Sequence, residues 1–76
     1  MRAFEDIVVE HLKIPREKIA DSLTPKDVEE WDSMNYLLFI AELEKEYSVS
    51  FSMDEVLTAE SLGAVRTLLR TKGKDV

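Results

Sequence analysis

Few residues in this 76-residue chain can do chemistry. With no cysteine there is no thiol nucleophile, no thiolate metal site and no disulfide framework. With one histidine, His11, a histidine-rich metal site is excluded as well. No D-x-D-x-D-G loop gathers the acids into a calcium site, and Asp54 and Glu55 read as first-turn acids favoured by a helix dipole. The side chain that stands out is Ser33. With Asp32 it stands just before an apolar run, and both residue types are good N-caps. Ser33 is therefore expected at or next to the first turn of a helix, with its hydroxyl facing solvent. A nucleophilic serine needs a base oriented by a third group. The only imidazole is that of His11, nothing in the sequence places it near Ser33, and there is no G-x-S-x-G elbow. So small a chain also has little room for a substrate pocket with an oxyanion hole. No enzymatic activity is expected. A phosphate joined to Ser33 would instead meet free backbone N–H groups and the positive end of the helix dipole. Asp32 does not help to hold such a phosphate, because like charges repel. It reads as a helix cap, or as a handle for a basic or metal-bearing partner.

The helix that must present Ser33 is the longest unbroken helical pattern in the chain, Glu29 to Tyr47. Apolar residues recur at Met34, Leu37, Leu38, Ile40, Ala41, Leu43 and Tyr47, with no Gly or Pro between them. Before it, Phe4, Ile7, Val8, His11 and Leu12 fit one face of an amphipathic helix from about Arg2 to Leu12, and Pro15 marks its end. His11 lies at the edge of that stripe and reads as a boundary packing residue. Between the two helices runs a long loop, Lys13 to Glu30. Ile14, Ile19, Leu23 and Val28 serve as its anchors, and Thr24-Pro25-Lys26-Asp27 fits a turn or short helix start capped by Thr24. Trp31 is expected to pack this loop against the serine-bearing helix. Ser48 to Phe51 reads as an extended connector, since a lone four-residue strand has no partner. Ser52 and Glu55 form a capping box for a short helix, roughly Met53 to Leu57. A last helix follows caps at Thr58, Glu60 or Ser61 and turns Leu62, Val65, Leu68 and Leu69 inward. The predicted core is Phe4, Ile7, Val8, Leu12, Leu37, Ile40, Leu43, Leu62, Val65 and Leu69. The tail from about residue 72 is expected to fray.

The fold class is thus all-α: a single domain, residues 1–76, of three main helices and one short one. Size alone makes its core marginal, so the helices must pack well. No segment is long and apolar enough to span a bilayer, and no signal-peptide pattern opens the sequence, so a cytoplasmic setting is expected. The formal net charge of −6 is unevenly placed. From Asp27 to Glu60 ten acids accompany one base, Lys45. That distribution argues against nucleic acid and for partners with basic docking patches. Read alone, it also suits a solubilising surface.

Asp32-Ser33-Met34 at the head of an apolar helix resembles the attachment motif of the acyl carrier protein family, Asp-Ser-Leu. Trp31 before it and Leu43-Glu44 after it resemble the Trp-Asp-Ser-Leu subgroup. The likeness runs from about Phe4 to Leu69. Met34 replaces the usual Leu, a volume-conserving change, and Glu30 stands where many members have Gly. The resemblance implies a four-helix carrier bundle in which Ser33, flanked by Asp32 and Met34, bears a 4'-phosphopantetheine arm taken from coenzyme A. The arm would supply the thiol that the chain lacks and hold acyl or aminoacyl groups as thioesters. The implied partners are a phosphopantetheinyl transferase, a loading ligase or acyltransferase, and downstream enzymes of fatty acid, polyketide or nonribosomal biosynthesis. Neither nucleic acid nor membrane is expected, and the carrier should be a monomer. In the resembled family this side of the second helix meets the enzymes, so Met34, Leu38 and Ala41, rimmed by Glu42, form the expected partner face. Many carriers have an acid where Leu38 stands, which makes this face unusually apolar. The alternatives are that the long loop or Trp31 buries Leu38, and that the chain is a small acidic interaction module with no prosthetic group.

Overall fold

The computed structural model describes residues 3–76. It contains four α-helices: α1 Phe4–Leu12, α2 Ser33–Tyr47, α3 Met53–Thr58 and α4 Leu62–Thr71. No strand occurs among the described residues. The expected start of α1 at Arg2 lies outside them. From Phe4 the helix follows the predicted stripe, burying Phe4, Ile7, Val8 and Leu12. It ends at Lys13, which takes a left-handed conformation (φ 58°) and donates its N–H to the Val9 carbonyl. Ser48 closes α2 in the same way at φ 54°, so the backbone turns where the helical pattern stops.

Each later helix is started by a side chain that the sequence marks. Asp32 accepts from Asn35 N to cap α2. Ser52 and Glu55 form both halves of the capping box on α3. Ser61, rather than Thr58 or Glu60, caps α4 through Ala64 N. Such caps are worth roughly 1 kcal/mol each, which matters in a domain whose core is small.

The core joins α1, α2 and α4, with Phe4 meeting Phe39 edge to face at 6.0 Å between ring centroids. Along α2 the buried side chains are Phe39, Ile40, Leu43 and Tyr47, with Tyr36 half-buried. Leu37, predicted for the core, is exposed, and Phe39 occupies the interior instead. At 100° per residue, positions 36, 40, 43 and 47 share one side, whereas 37 lies beside 34, 38 and 41 on the opposite one. Four consecutive apolar residues, Leu37 to Ile40, hide this phase in the sequence.

The long loop is pinned as expected. Ile14, Val28 and Trp31 are buried, and Ile19 and Leu23 are partly so. A 3₁₀ turn at Arg16–Lys18 shapes its first part. Thr24 and Asp27 close a turn in which Thr24 N and Oγ1 both donate to the Asp27 carboxylate at 3.0 Å. The loop then reaches the start of α4: Leu62 N donates to Leu23 O at 3.0 Å and Gly63 N to Asp21 O at 2.9 Å. A Cβ on Gly63 would lie 2.9 Å from Asp21 Cβ, so this close approach requires glycine. Arg66, over the Phe4 ring at 4.6 Å, pairs with Glu5 and Asp21 across the same seam. The tail after Gly73 folds back: Lys74 N bonds to Leu69 O, and Arg70 donates to Val76 O.

Candidate functional site

Ser33 is the first residue of α2 and is exposed. Its hydroxyl has no hydrogen-bond partner among the described residues. Asp32 is the true cap: its carboxylate accepts from Asn35 N at 2.8 Å. Asn35 in turn donates through Nδ2 to Glu30 O at 2.9 Å, and Trp31 N bonds to Val28 O at 3.1 Å. These contacts fix the loop that delivers Ser33. They also explain why the loop works with Glu30 in place of a glycine, because Glu30 contributes its carbonyl and leaves its side chain exposed. Trp31 is only 5% exposed and lies 5.8 Å from the Tyr36 ring, packing the loop onto α2 as the sequence suggests.

Beside Ser33 lies an open recess of about 230 Å³, walled by Trp31, Tyr36, Val56, Leu57 and Ala59. The Tyr36 hydroxyl donates to Val56 O at 2.8 Å, with Ala59 O at 3.4 Å, and so ties α2 to the end of α3. Burial raises the Tyr36 pKa above the ordinary tyrosine value. The sequence reading missed Tyr36. Its signal was its position, three residues after Ser33, on the inward side of the true phase.

Large apolar side chains on α2 and α3 stand in solvent. Met34 is 71% exposed, Leu37 and Leu38 are each 53% exposed, and on α3 Met53 and Leu57 are 67% and 68% exposed. Ala41 is exposed on the same side of α2 as Met34 and Leu38. Neither the loop nor Trp31 buries Leu38. Glu42 is turned elsewhere: it is half-buried, with its Oε1 4.0 Å from His11 Nε2. His11 sits at the α1 boundary, half-buried, with Nε2 also 3.4 Å from Glu10 and no hydrogen bond to it. It is remote in role from Ser33, and the described residues hold no group of acids and histidines able to bind a metal ion.

The model of the phosphopantetheine attachment site family matches residues 2–69. The chain belongs to this family. Among solved structures it is similar to a Mycobacterium tuberculosis protein provisionally described as an acyl carrier protein. The TM-score is 0.79 at 23% sequence identity, over 92% of this chain and 99% of that one. That likeness establishes the fold. No curated protein matches the chain significantly. Family membership implies a covalently attached 4'-phosphopantetheine, enzymes that attach it, and biosynthetic enzymes that use it. The residues present fit the group: an exposed, unbonded hydroxyl at a helix start opens beside an apolar recess. No helix of the described residues is long and apolar enough to cross a membrane.

Proposed function

We propose that Ser33 is the attachment point, and that the carrier holds acyl or aminoacyl groups as thioesters on its arm. The observation that carries this reading is the unbonded, exposed Ser33 hydroxyl on the first turn of α2, within the matched residues. The hydroxyl oxygen attacks phosphorus in the pyrophosphate of coenzyme A. A new P–O bond forms, the pyrophosphate P–O bond breaks, the adenosine-bearing half leaves, and the transferase takes the hydroxyl proton. Backbone N–H groups at the head of α2 would favour the phosphate of the arm, and Asp32, occupied in capping, would add no hold on it. The arm supplies a thiol, which this cysteine-free chain does not have. A separate ligase or acyltransferase loads it, and the carrier's own residues position the load without reacting.

Met34, Leu38 and Ala41 form the centre of the partner face, beside Ser33. Leu37 extends it. Glu42, engaged toward α1, is a weaker rim than its sequence position suggests, and the exposed acids Glu29 and Glu30, just before Asp32, lie closer in sequence to the site. Large apolar contacts supply binding energy while acids steer the encounter. Intact mass after incubation with coenzyme A, Mg²⁺ and a phosphopantetheinyl transferase tests the attachment. The wild type gains one phosphopantetheine, and a Ser33→Ala variant that gains it too removes Ser33 from the role.

A further inference from the structure

We propose that the cargo of this carrier stays outside the helical bundle and that Tyr36 keeps it there, which fits the carrier to short acyl or aminoacyl groups rather than long alkyl chains. The inference rests on the attachment at Ser33.

The recess that Ser33 lines is bounded on its inner side by the buried residues Trp31, Val56 and Ala59. Tyr36, Val56 and Ala59 all line it, and they are the residues that the Tyr36 hydroxyl joins, at 2.8 Å to Val56 O and 3.4 Å to Ala59 O. The buried Trp31 ring backs Tyr36 from the loop side. Beyond them, Phe39, Leu43 and Leu62 are fully buried. An alkyl chain tethered at Ser33 and seeking apolar surroundings meets this bolted floor first. To pass, it must break the Tyr36 bond, leave carbonyls at the end of α3 unpaired, and find volume among close-packed side chains.

In the other direction the recess shares Pro25 and Glu60 with a second depression of about 400 Å³, whose remaining lining is Thr24 and Lys26. That depression is walled by the loop and by Glu60, all outside the buried core, so a load lying along it does not enter the bundle. The recess itself, at about 230 Å³, is smaller than the ~300–1,000 Å³ pockets that enclose drug-sized ligands, and the arm must share it. Both directions keep the load outside the packed core and available to partner enzymes, and the small recess favours a short one.

A test that does not depend on the arm uses Ser33→Cys, whose thiol is then the only one in the chain. Ethyl and dodecyl groups are attached to it as mixed disulfides, and both conjugates are measured at dilutions where they are monomeric. The readouts are the thermal midpoint and the methyl NMR signals of Leu43, Leu62 and Val65. With Tyr36 present, the two conjugates should share the same midpoint and the same core methyl signals. With Tyr36→Phe added, the dodecyl group alone should shift those methyls and raise the midpoint relative to the ethyl conjugate. A dodecyl-specific shift in the presence of Tyr36 overturns the proposal. Identical conjugates in the Tyr36→Phe background would remove Tyr36 from the role. The attachment reading is judged separately by the coenzyme A mass gain, so the two can fail independently.

Discussion

Helix α2 has two apolar faces with opposite fates. Inward, Phe39, Ile40, Leu43 and Tyr47 are buried against α1 and α4. Outward, Met34, Leu37, Leu38 and Ala41 stand in solvent next to Ser33. Residue type does not distinguish them, since leucines occur on both. The inward face holds the bundle together. The outward face leaves large apolar side chains mostly in water, an arrangement that suits transient contact with partners. The comparison teaches that in this chain hydrophobicity marks two jobs, and only helical phase separates them.

Truncating one leucine on each face should separate the two most sharply. Leu43→Ala should lower the unfolding free energy by ~2–5 kcal/mol, a large share of the stability of so small a domain. Leu37→Ala should change it by no more than about 0.5 kcal/mol. Urea denaturation of both variants checks this. Equal losses would mean that Leu37 is packed and that the outward face is not free.

This phase is also where the sequence was least legible. The cap at Ser52 could be read directly, and those of α2 and α4 to within a few residues, because each is a local contact between a short polar side chain and a backbone N–H three residues on. The anchors Ile14 and Val28 could be read as isolated apolar residues in a polar loop. The place of Ser33 at the head of α2 could be read from the caps and the helical pattern behind it. Leu37 and Phe39 could not be assigned, since four apolar residues in a row satisfy either phase and only packing against Phe4 decides between them. Tyr36 and Gly63 escaped notice for a different reason. Their roles depend on residues distant in sequence, Val56 and Ala59 for Tyr36 and Asp21 for Gly63.

Next in size is the outward face itself. Leu38→Glu should leave the melting curve intact and slow loading by the cognate ligase about tenfold at limiting carrier concentration, as for a residue near the centre of an interface. Loading is assayed on carrier whose arm is confirmed by mass. An unchanged rate would separate Leu38 from docking, and a loss of folding would place it in the core.

The inward side can be sharpened at its seam with the loop. Gly63→Ala gains up to ~1 kcal/mol of helix propensity but drives a methyl into Asp21, displacing the carbonyl that accepts from Gly63 N. A net loss of about 1 kcal/mol is expected in chemical denaturation, since overpacking typically costs ~1–3 kcal/mol. A stabilised variant would show that the loop can shift freely.

The smallest effect lies at α3. The Ser52 N–H and the Lys72 ammonium hold the Glu55 carboxyl below its usual pKa. A depressed folded pKa gives stability that is present above the unfolded value of roughly 4.3 and is lost as pH falls through the folded one. Glu55→Gln should therefore be slightly less stable than the wild type at pH 7, and the difference should shrink steadily below about pH 4.3. Thermal melts across that range would reveal a pH-independent gap if the carboxylate charge were irrelevant.

Whether Ser33 carries the arm is read out by intact mass spectrometry. Wild-type chain, Leu38→Glu and Ser33→Ala are each incubated with coenzyme A, Mg²⁺ and a phosphopantetheinyl transferase of broad specificity. The first two should gain the mass of a single phosphopantetheine. Ser33→Ala, folded by circular dichroism, should gain none. A mass gain in the Ser33→Ala variant would contradict the account, as would a wild-type chain that remains unmodified beside a control carrier labelled in the same tube.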